Sequence, residues 1–496
     1  MPNKNIPRRV VVKFRDAVNL PYEDGAERHV VRLGVGPWTE LAQRFQGVRL
    51  NRLFTVISPE RIGQLVSRAT DRDRHYRAPN LLSFFVIDAP VGVDPKALAA
   101  ALREWPQIEE AYIDPLDSSP GPSGINPSAA GQRYLKPPAT PANPTQVGAI
   151  DAEFAWLQPG GTGLNQKIVD LERGAKLDQE DIVGRNIAPQ LHGINNPDPK
   201  DRRHGAQVLC VVAAMDNAVG VVGIAYGVQE VKYTCQVIDS AGTVNRPNAV
   251  MAAIDHFTQP GEDPVGRVLL LEVQLGATND GVSLQDVNGN VWEAMPMETT
   301  LADYEAIRLA TGLGIVVIEA AGNGDHNLDQ FKQQSSGQFV LARPGGRADS
   351  GAIIVGGSES AFPYKRKVNF PGIDGSCFGT RVDCFAWSEN VMTFDVERTG
   401  EDLYSASFGG TSAAAAIVAG AALLVQGAAE AKNGSRLDPT QLRALVADKT
   451  PNGNTPSNNP GVDLIGVMPN LKYILQTKLG IGVDVAPSAP QSVTIR

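Results

Sequence analysis

The stretch from Gly409 to Gly420 places one small hydroxyl, that of Ser412, at the start of an alanine-rich helix predicted to run to about Gln426. A serine hydroxyl is a weak nucleophile until a base takes its proton and donors stabilise the oxyanion that it creates. A helix N-terminus offers unpaired backbone N–H groups and a favourable dipole for that charge. By itself the pattern is more often only a capped, buried helix, so the chemistry requires partners elsewhere in the chain.

Three other polar side chains stand where apolar segments begin or end. His204 lies at the mouth of a predicted buried helix, and Gly205 beside it leaves room for another backbone or a ligand near the imidazole. Asp170 closes the apolar run 168–169, and Asn323 follows a β-branched strand. Open parallel sheets place catalytic groups at the carboxyl ends of their strands. Taken singly, these residues are also typical of a structural histidine, a cap and a turn.

Together the four residues form a candidate nucleophilic site. His204 would accept the proton of Ser412, and the Asp170 carboxylate would hold the imidazole in one tautomer and stabilise its charged form. The Asn323 side chain would donate a hydrogen bond to the oxyanion. Another class of serine hydrolase, the esterases with Gly-x-Ser-x-Gly and a histidine after the serine, is excluded because the chain has no such motif and no histidine beyond Ser412.

The chain order Asp170, His204, Asn323, Ser412 resembles the subtilase family of serine peptidases. The resemblance covers roughly residues 145 to 480. It implies that Ser412 is the nucleophile, His204 the general base and acid, and Asp170 the orienting acid. It also implies that Asn323 and the backbone N–H of Ser412 hold the oxyanion, and that the reaction is hydrolysis of peptide bonds through an acyl-enzyme.

The sequence departs from the family pattern at three places. The family has Asp-Ser-Gly or Asp-Thr-Gly at the acid, whereas residues 170–174 read Asp-Leu-Glu-Arg-Gly and resemble an Asp-Ile-Glu-type bacterial subgroup. Ala206 replaces a threonine after the histidine, and Ala416 replaces a proline after the serine. None of these changes removes a catalytic group, so the prediction keeps Asp170. We expect activity to rise as His204 deprotonates, near or somewhat above a pKa of about 6.5.

The segment 267–277 resembles the family strand that pairs with the substrate backbone. Such pairing is made through main-chain hydrogen bonds and therefore suits a peptide or protein substrate. The resemblance implies a pocket of small, mostly apolar residues that favours an uncharged side chain before the cut. Its predicted lining residues are Gln274, Leu275, Gly276, Ala320, Ala321 and Gly322.

Apolar periodicity predicts an α/β fold with a mostly parallel, doubly wound sheet over residues 146–480, and the resemblance implies that the fold is of subtilisin-like type. The predicted strands lie near 166–170, 231–238, 267–275, 314–319 and 352–356, and the predicted helices at 204–215, 299–312, 410–427 and 439–447.

The N-terminal residues 1–115 alternate strands and helices and predict a smaller α+β domain, which by its layout resembles the ferredoxin-like propeptides of subtilases. Residues 116–145 form a Pro/Ser/Gly-rich linker, and 481–496 a C-terminal tail. The resemblance implies a zymogen whose N-terminal domain assists folding and blocks the cleft until the linker is cut. A permanent partner-binding or targeting domain is the alternative.

Composition limits the other classes of function. The chain has 496 residues, 42% of them hydrophobic, with a net charge of −9 and scattered basic residues, which gives no indication of nucleic-acid binding. No apolar run approaches the twenty or so residues that span a bilayer, and the N-terminus lacks a signal-peptide core. We therefore expect synthesis in the cytoplasm, with leaderless export left open.

No cofactor is expected to be required, and no His/Cys cluster has zinc spacing. Asp325 and Asp329 could hold a structural calcium ion, as in many subtilases, although a solvated acidic loop is the simpler interpretation. Cys377 and Cys384 could form a disulfide if oxidised. We expect a monomer, with an intramolecular or separate inhibitor as a partner. The rival hypothesis is a catalytically silent subtilase-fold binding or scaffold protein.

Overall fold

The computed structural model describes residues 9–53, 59–60, 80–90, 92–113, 129–237, 240, 245–275, 284–333, 336–368, 375–398 and 401–482. The chain divides into two compact units, a small unit of residues 1–117 with 484–496 and a large unit of residues 118–483. Each unit has its own hydrophobic core.

The small unit is an antiparallel sheet with helices, in the order β-α-α-β-β-α-β. Its four strands lie side by side in the order β2-β3-β1-β4 and are antiparallel. This is the predicted ferredoxin-like layout. The predicted helix 59–69 falls almost entirely outside the described residues. The elements are β1 (Arg9–Phe14), α1 (Glu27–Leu33), α2 (Trp38–Arg44), β2 (Asn51–Arg52), β3 (Phe84–Asp88), α3 (Pro95–Arg103) and β4 (Ile108–Ile113).

The large unit is built on an eight-stranded sheet with the order β17-β18-β14-β13-β12-β7-β5-β6. Every neighbouring pair is parallel except β17 with β18, which confirms the predicted mostly parallel sheet. The sheet strands are β5 (Lys167–Glu172), β6 (Glu230–Cys235), β7 (Val268–Leu271), β12 (Val316–Ala320), β13 (Ile353–Ser358), β14 (Cys384–Trp387), β17 (Thr455–Pro456) and β18 (Val467–Met468).

Helices cover both faces of this sheet, and further pairs of strands lie outside it. The helices are α4 (Ala152–Trp156), α5 (Pro199–Ala213), α6 (Arg246–Phe257), α7 (Leu301–Gly312), α8 (Gly410–Asn433), α9 (Pro439–Val446), α10 (Pro460–Asp463) and α11 (Leu471–Tyr473). The remaining strands are β8 (Gln274–Leu275), β9 (Leu284–Gln285), β10 (Val291–Trp292), β11 (Met295–Pro296), β15 (Val391–Arg398) and β16 (Glu401–Phe408).

Alternate residues of β5 face opposite layers of the core. Ile168 belongs to the cluster that contains α5 and α8, whereas Val169 and Leu171 belong to the cluster that contains α6 and α7. Successive side chains of a strand point to opposite faces of a sheet. The even-numbered residues of β5 therefore face the layer that carries α5 and α8.

The helix α8 runs through the centre of the large unit. It is the one helix among the described residues that is long and apolar enough to cross a bilayer, which corrects the expectation that no apolar run approaches this length. However, 94% of its most apolar stretch is buried inside the fold. Its alanines explain this placement, because their small side chains let the helix lie close against the sheet. The same helix begins beside the predicted nucleophile.

Residues 129–139, which the sequence assigned to the linker, are instead part of the large unit and pack into it, whereas residues 140–145 are exposed. Tyr134 is fully buried, and its hydroxyl donates to the Met392 carbonyl at 3.1 Å. The Gln132 amide donates to the Val222 carbonyl at 2.7 Å, and the Val222 N–H donates back to Gln132 at 2.9 Å. The linker prediction is wrong for this segment, because two buried aromatic and amide anchors outweigh the proline-rich composition around them.

All four cysteines are buried free thiols, so Cys377 and Cys384 do not form the bridge that the sequence left open. Within the described residues no group of three or more His, Cys, Asp or Glu side chains is arranged to hold a metal ion. Of the two carboxylates considered for calcium, Asp325 pairs with Arg366, and Asp329 accepts hydrogen bonds from the backbone and hydroxyl of Thr380. Both carboxylates thus have protein partners.

Candidate active site

One cleft of about 850 Å³ lies at the carboxyl ends of the central strands and the N-terminal ends of α5 and α8. Its lining includes three of the four predicted catalytic residues, His204, Asn323 and Ser412. Asp170 is not among the lining residues, whereas Glu172 and Glu272 are. The fold therefore brings together residues that are up to about 240 positions apart in the chain.

Ser412 is presented by the first turn of α8. Gly410, the first helical residue, has φ +75°, a conformation that favours glycine, and its N–H donates to the Ser388 carbonyl at 2.9 Å. Ser412 is the third residue of the helix, and N–H groups in a first turn lack partners within the helix. The backbone N–H of Ser412 is therefore suited to donate to an oxyanion beside its own hydroxyl.

His204 is held at the cleft by the packing of α5. Asp198 caps the helix by accepting from the Lys200 N–H at 2.8 Å. A Cβ at Gly205 would lie 2.3 Å from the Gly174 carbonyl oxygen, so only glycine allows α5 to approach the segment after β5 so closely. The edge of the imidazole packs against Phe408, with ring centroids 5.9 Å apart.

The acid that contacts His204 is Glu172 and not Asp170. The Nδ1 atom of His204 lies 3.0 Å from both carboxyl oxygens of Glu172. Asp170 is 1% exposed, and neither of its carboxyl oxygens has a hydrogen-bond partner among the described residues. The prediction that Asp170 orients the imidazole is therefore wrong in this structure.

The geometry of β5 explains the difference. Asp170 and Glu172 are two positions apart on one strand and face the same layer, but Glu172 lies about 7 Å further along the strand. Glu172 is the last residue of the strand and lies beside the N-terminal part of α5, which carries His204. Its longer side chain reaches Nδ1 of the imidazole. Asp170 remains deeper in the sheet, beside Tyr233 of β6 and Leu270 of β7 in the strand register.

Burial sets the electrostatics of this carboxyl cluster. It raises the pKa of Asp170 well above its usual value, with a further contribution from Glu172. It also raises the pKa of Glu172, together with repulsion from Asp201. Burial lowers the pKa of His204, against the opposing effects of Glu272 and Asp201. The imidazole thus favours its neutral form, and its pKa lies below the value expected from the sequence.

No hydrogen bond joins Ser412 to His204 among the described contacts, although both side chains line the cleft. Catalytic hydrogen bonds are often long before substrate binds and shorten in the reactive complex. With the Nδ1 proton directed at Glu172, the lone pair of Nε2 remains available to accept the Ser412 proton.

Asn323 is oriented as a side-chain donor. Its Oδ1 accepts from the Thr411 N–H at 2.7 Å and from the Thr411 hydroxyl at 3.1 Å. Its own backbone N–H donates to Gln274 Oε1 at 3.0 Å. Because Oδ1 is occupied, the amide nitrogen Nδ2 is the group left to donate into the cleft beside Ser412.

Replacing Asn323 by alanine is expected to lower kcat by about 10²–10³-fold with little change in KM, since the lost donor acts on the oxyanion and not on the bound substrate. Steady-state kinetics on a fluorogenic peptide measures both constants. Asn248→Ala, which removes an exposed amide from α6, is the matched control and should behave as wild type. An unchanged kcat in Asn323→Ala would remove this residue from the oxyanion site.

The predicted substrate pocket is only partly found in the cleft. Gln274 and Ala320 line it, whereas Leu275 and Ala321 are buried in the core and Gly322 is not among the lining residues. Gly276 lies outside the described residues. The sequence missed other lining residues because they come from loops and a hairpin without a motif: Val273, Lys367, Ser388, Glu389, Asn390, Ala406, Ser407 and Phe408.

A serine at a helix N-terminus, an imidazole with a carboxylate on Nδ1 and a side-chain amide donor, all in one cleft of a parallel α/β sheet, define a serine hydrolase site. The model of the subtilase family matches residues 161–465, which include every one of these residues. The chain belongs to the subtilase family and is a subtilisin-like serine endopeptidase.

The chain is also similar to individual proteins. The chain is 27% identical over 282 residues to Subtilisin DY of Bacillus licheniformis, which covers 57% of this chain and 84% of that protein. It is 25% identical over 357 residues to the Intracellular serine protease of Paenibacillus polymyxa, covering 68% of this chain and 90% of that protein. A solved structure of a protease from Pseudoalteromonas arctica shares 18% identity at a TM-score of 0.49, covering 72% of this chain and 99% of that chain.

Proposed function

We propose that Ser412, His204 and Glu172 form the catalytic triad of this endopeptidase, with Asn323 and the Ser412 backbone N–H as the oxyanion donors. The observation that carries the proposal is the contact of His204 Nδ1 with the Glu172 carboxylate at 3.0 Å, in the cleft that Ser412 also lines. Glu172 thus takes the orienting role that the resemblance assigned to Asp170.

In this mechanism Ser412 Oγ attacks the scissile carbonyl carbon while His204 accepts the hydroxyl proton. The negative charge on the carbonyl oxygen is held by Asn323 Nδ2 and the Ser412 N–H. Glu172 stabilises the imidazolium, which then protonates the leaving amine. A water molecule, activated by the same imidazole, hydrolyses the acyl-enzyme and restores Ser412.

We further propose that the small unit regulates the endopeptidase until the chain is cut between the two units. Its four-stranded ferredoxin-like sheet supports this role, because it is a compact module with a separate core. The packed segment 129–139 supports a cut before residue 129, since cleavage needs accessible chain and buried anchors such as Tyr134 withhold it.

Incubating purified wild type and Ser412→Ala side by side tests the regulatory proposal. The wild type is expected to shorten to a form beginning between residues 114 and 129, with a rise in peptidase activity, whereas Ser412→Ala stays intact. Intact-mass measurement and N-terminal sequencing locate the cut. A fully active wild-type enzyme that remains one uncut chain would favour the alternative, a permanent partner-binding module.

A further inference from the structure

Glu272 lies in the catalytic cleft but has no part in the proposed triad. It directly follows β7, lines the cleft and is 6% exposed. Both of its carboxyl oxygens are buried, and among the described residues neither has a hydrogen-bond partner of regular geometry. Burying a carboxyl without a partner is costly, and unsatisfied groups of this kind call for a functional explanation.

The backbone determines where this carboxyl points. The Glu272 N–H donates to the Leu171 carbonyl at 3.1 Å, and Leu171 pairs with Leu271, so Glu172 and Glu272 are next to each other in the register. Adjacent strands are about 4.8 Å apart. The two glutamates therefore lie side by side on the face of the sheet that carries α5 and α8.

The groups around Glu272 shift the pKa of its carboxyl in both directions. Burial raises the pKa of Glu272 well above its usual value, and the carboxylates of Glu172 and Asp170 raise it further. The imidazole of His204 and the hydroxyl of Ser412 act in the opposite direction and lower the pKa of Glu272. Glu272 is thus close to both the nucleophile and the base that activates it.

We propose that Glu272 is a further catalytic residue, a second acceptor for the Ser412 hydroxyl proton beside His204, a role that rests on the proposed triad. As Ser412 Oγ bonds to the carbonyl carbon, the carbonyl π electrons move to oxygen and the hydroxyl proton passes to the Glu272 carboxylate. When the C–N bond breaks, its electron pair leaves with the nitrogen, which takes that proton and departs as the amine.

The step needs an ionised Glu272 carboxylate, which forms either when Glu272 loses its proton to solvent as the pH rises or when that proton moves to His204. Moving the Glu272 proton to His204 produces a carboxylate beside an imidazolium without changing the number of protons bound, so the two groups titrate as a pair. Glu172 on Nδ1 stabilises that imidazolium, while Asp170 lies deeper in the sheet and does not contact the imidazole. One site can therefore take the Ser412 proton by either of two routes.

The decisive experiment compares variants from which the His204 imidazole has been removed. His204→Ala and the double variant His204→Ala with Glu272→Gln are assayed as full-length chains on an internally quenched peptide from pH 4 to pH 9, with Ser412→Ala as the blank. His204→Ala is expected to retain at least about ten times the kcat/KM of the double variant, and this residual activity should rise with pH as a carboxyl ionises. Restoring a carboxyl with His204→Ala plus Glu272→Asp should recover part of it.

A positioning role through His204 predicts a different result, because residues that act as one unit are not additive. Equal activity of His204→Ala and the double variant, or activity of His204→Ala no higher than Ser412→Ala, would overturn the proposal. Thermal unfolding of each variant shows whether the fold is retained, and Glu305→Gln, an exposed carboxyl of α7, is the matched control. A wild type without Ser412-dependent hydrolysis would instead reject the proposed function.

Discussion

Replacing Ser412 by alanine is expected to lower kcat by about a millionfold, as in other concerted triads, and replacing His204 by alanine should lower it by several orders of magnitude. The reason is that the other hydroxyl in the first turn of α8, that of Thr411, is buried and donates to Asn323 Oδ1, so it cannot replace Ser412 as the nucleophile. Peptide hydrolysis measured by mass spectrometry over hours has the range to detect such a loss.

A serine-directed fluorophosphonate probe gives an independent readout of the same residue. Wild type should be labelled, with the label on Ser412, and Ser412→Ala should not. Ser435→Ala, which removes an exposed hydroxyl beyond the end of α8, is the control that should label as wild type. A wild type that neither labels nor cleaves would fit the rival hypothesis of a catalytically silent subtilase-fold binding protein.

Glu172→Gln is expected to lower kcat by about 10⁴-fold, whereas Asp170→Asn should lower it less than about tenfold. Glutamine cannot accept the Nδ1 proton with a full charge and favours the wrong imidazole tautomer, the effect that such a change has on a triad acid. Neither carboxyl oxygen of Asp170 has a hydrogen-bond partner among the described residues, so asparagine, which has nearly the same shape, removes no contact with the imidazole. Steady-state kinetics of the two single variants separates the two carboxyls.

The reverse ranking, with a large loss in Asp170→Asn and a small one in Glu172→Gln, would restore the acid predicted from the sequence. Thermal unfolding of both variants shows whether a loss of activity comes from a loss of stability, because both residues are buried in the sheet.

The pH dependence of the wild-type activity is a second test. Since burial lowers the pKa of His204, the rise of wild-type activity with pH should be centred below about 6.5.

The chemistry-bearing residues could be recognised from the sequence because each stands at the boundary of a strongly patterned element. The alanine-rich run after Ser412 predicts a buried helix, and the predicted start of this helix at residue 410 is that of α8. His204 was predicted at the mouth of a helix that in fact begins five residues earlier, at Pro199, because a polar first turn hides the start of a buried helix.

Which carboxyl meets the imidazole could not be decided from the sequence. Asp170 and Glu172 lie on the same face of one strand, so the alternation of side chains along a strand does not distinguish them. Which of the two carboxyls contacts His204 depends on the point along the strand at which α5 crosses it. That crossing is fixed by the contact of Gly205 with the Gly174 carbonyl, a tertiary contact between segments about 30 residues apart.

The sequence by itself determined the class of fold and predicted a nucleophile, a base and an amide donor that the structure brings into one cleft, because hydrophobic periodicity and turn chemistry are local properties of the chain. Only the tertiary structure decided which carboxyl contacts His204, which residues line the cleft, how residues 129–139 pack and that Glu272 lies in the same cleft as Ser412. These depend on the register and approach of elements distant in sequence, where a shift of one or two residues exchanges one carboxyl for another.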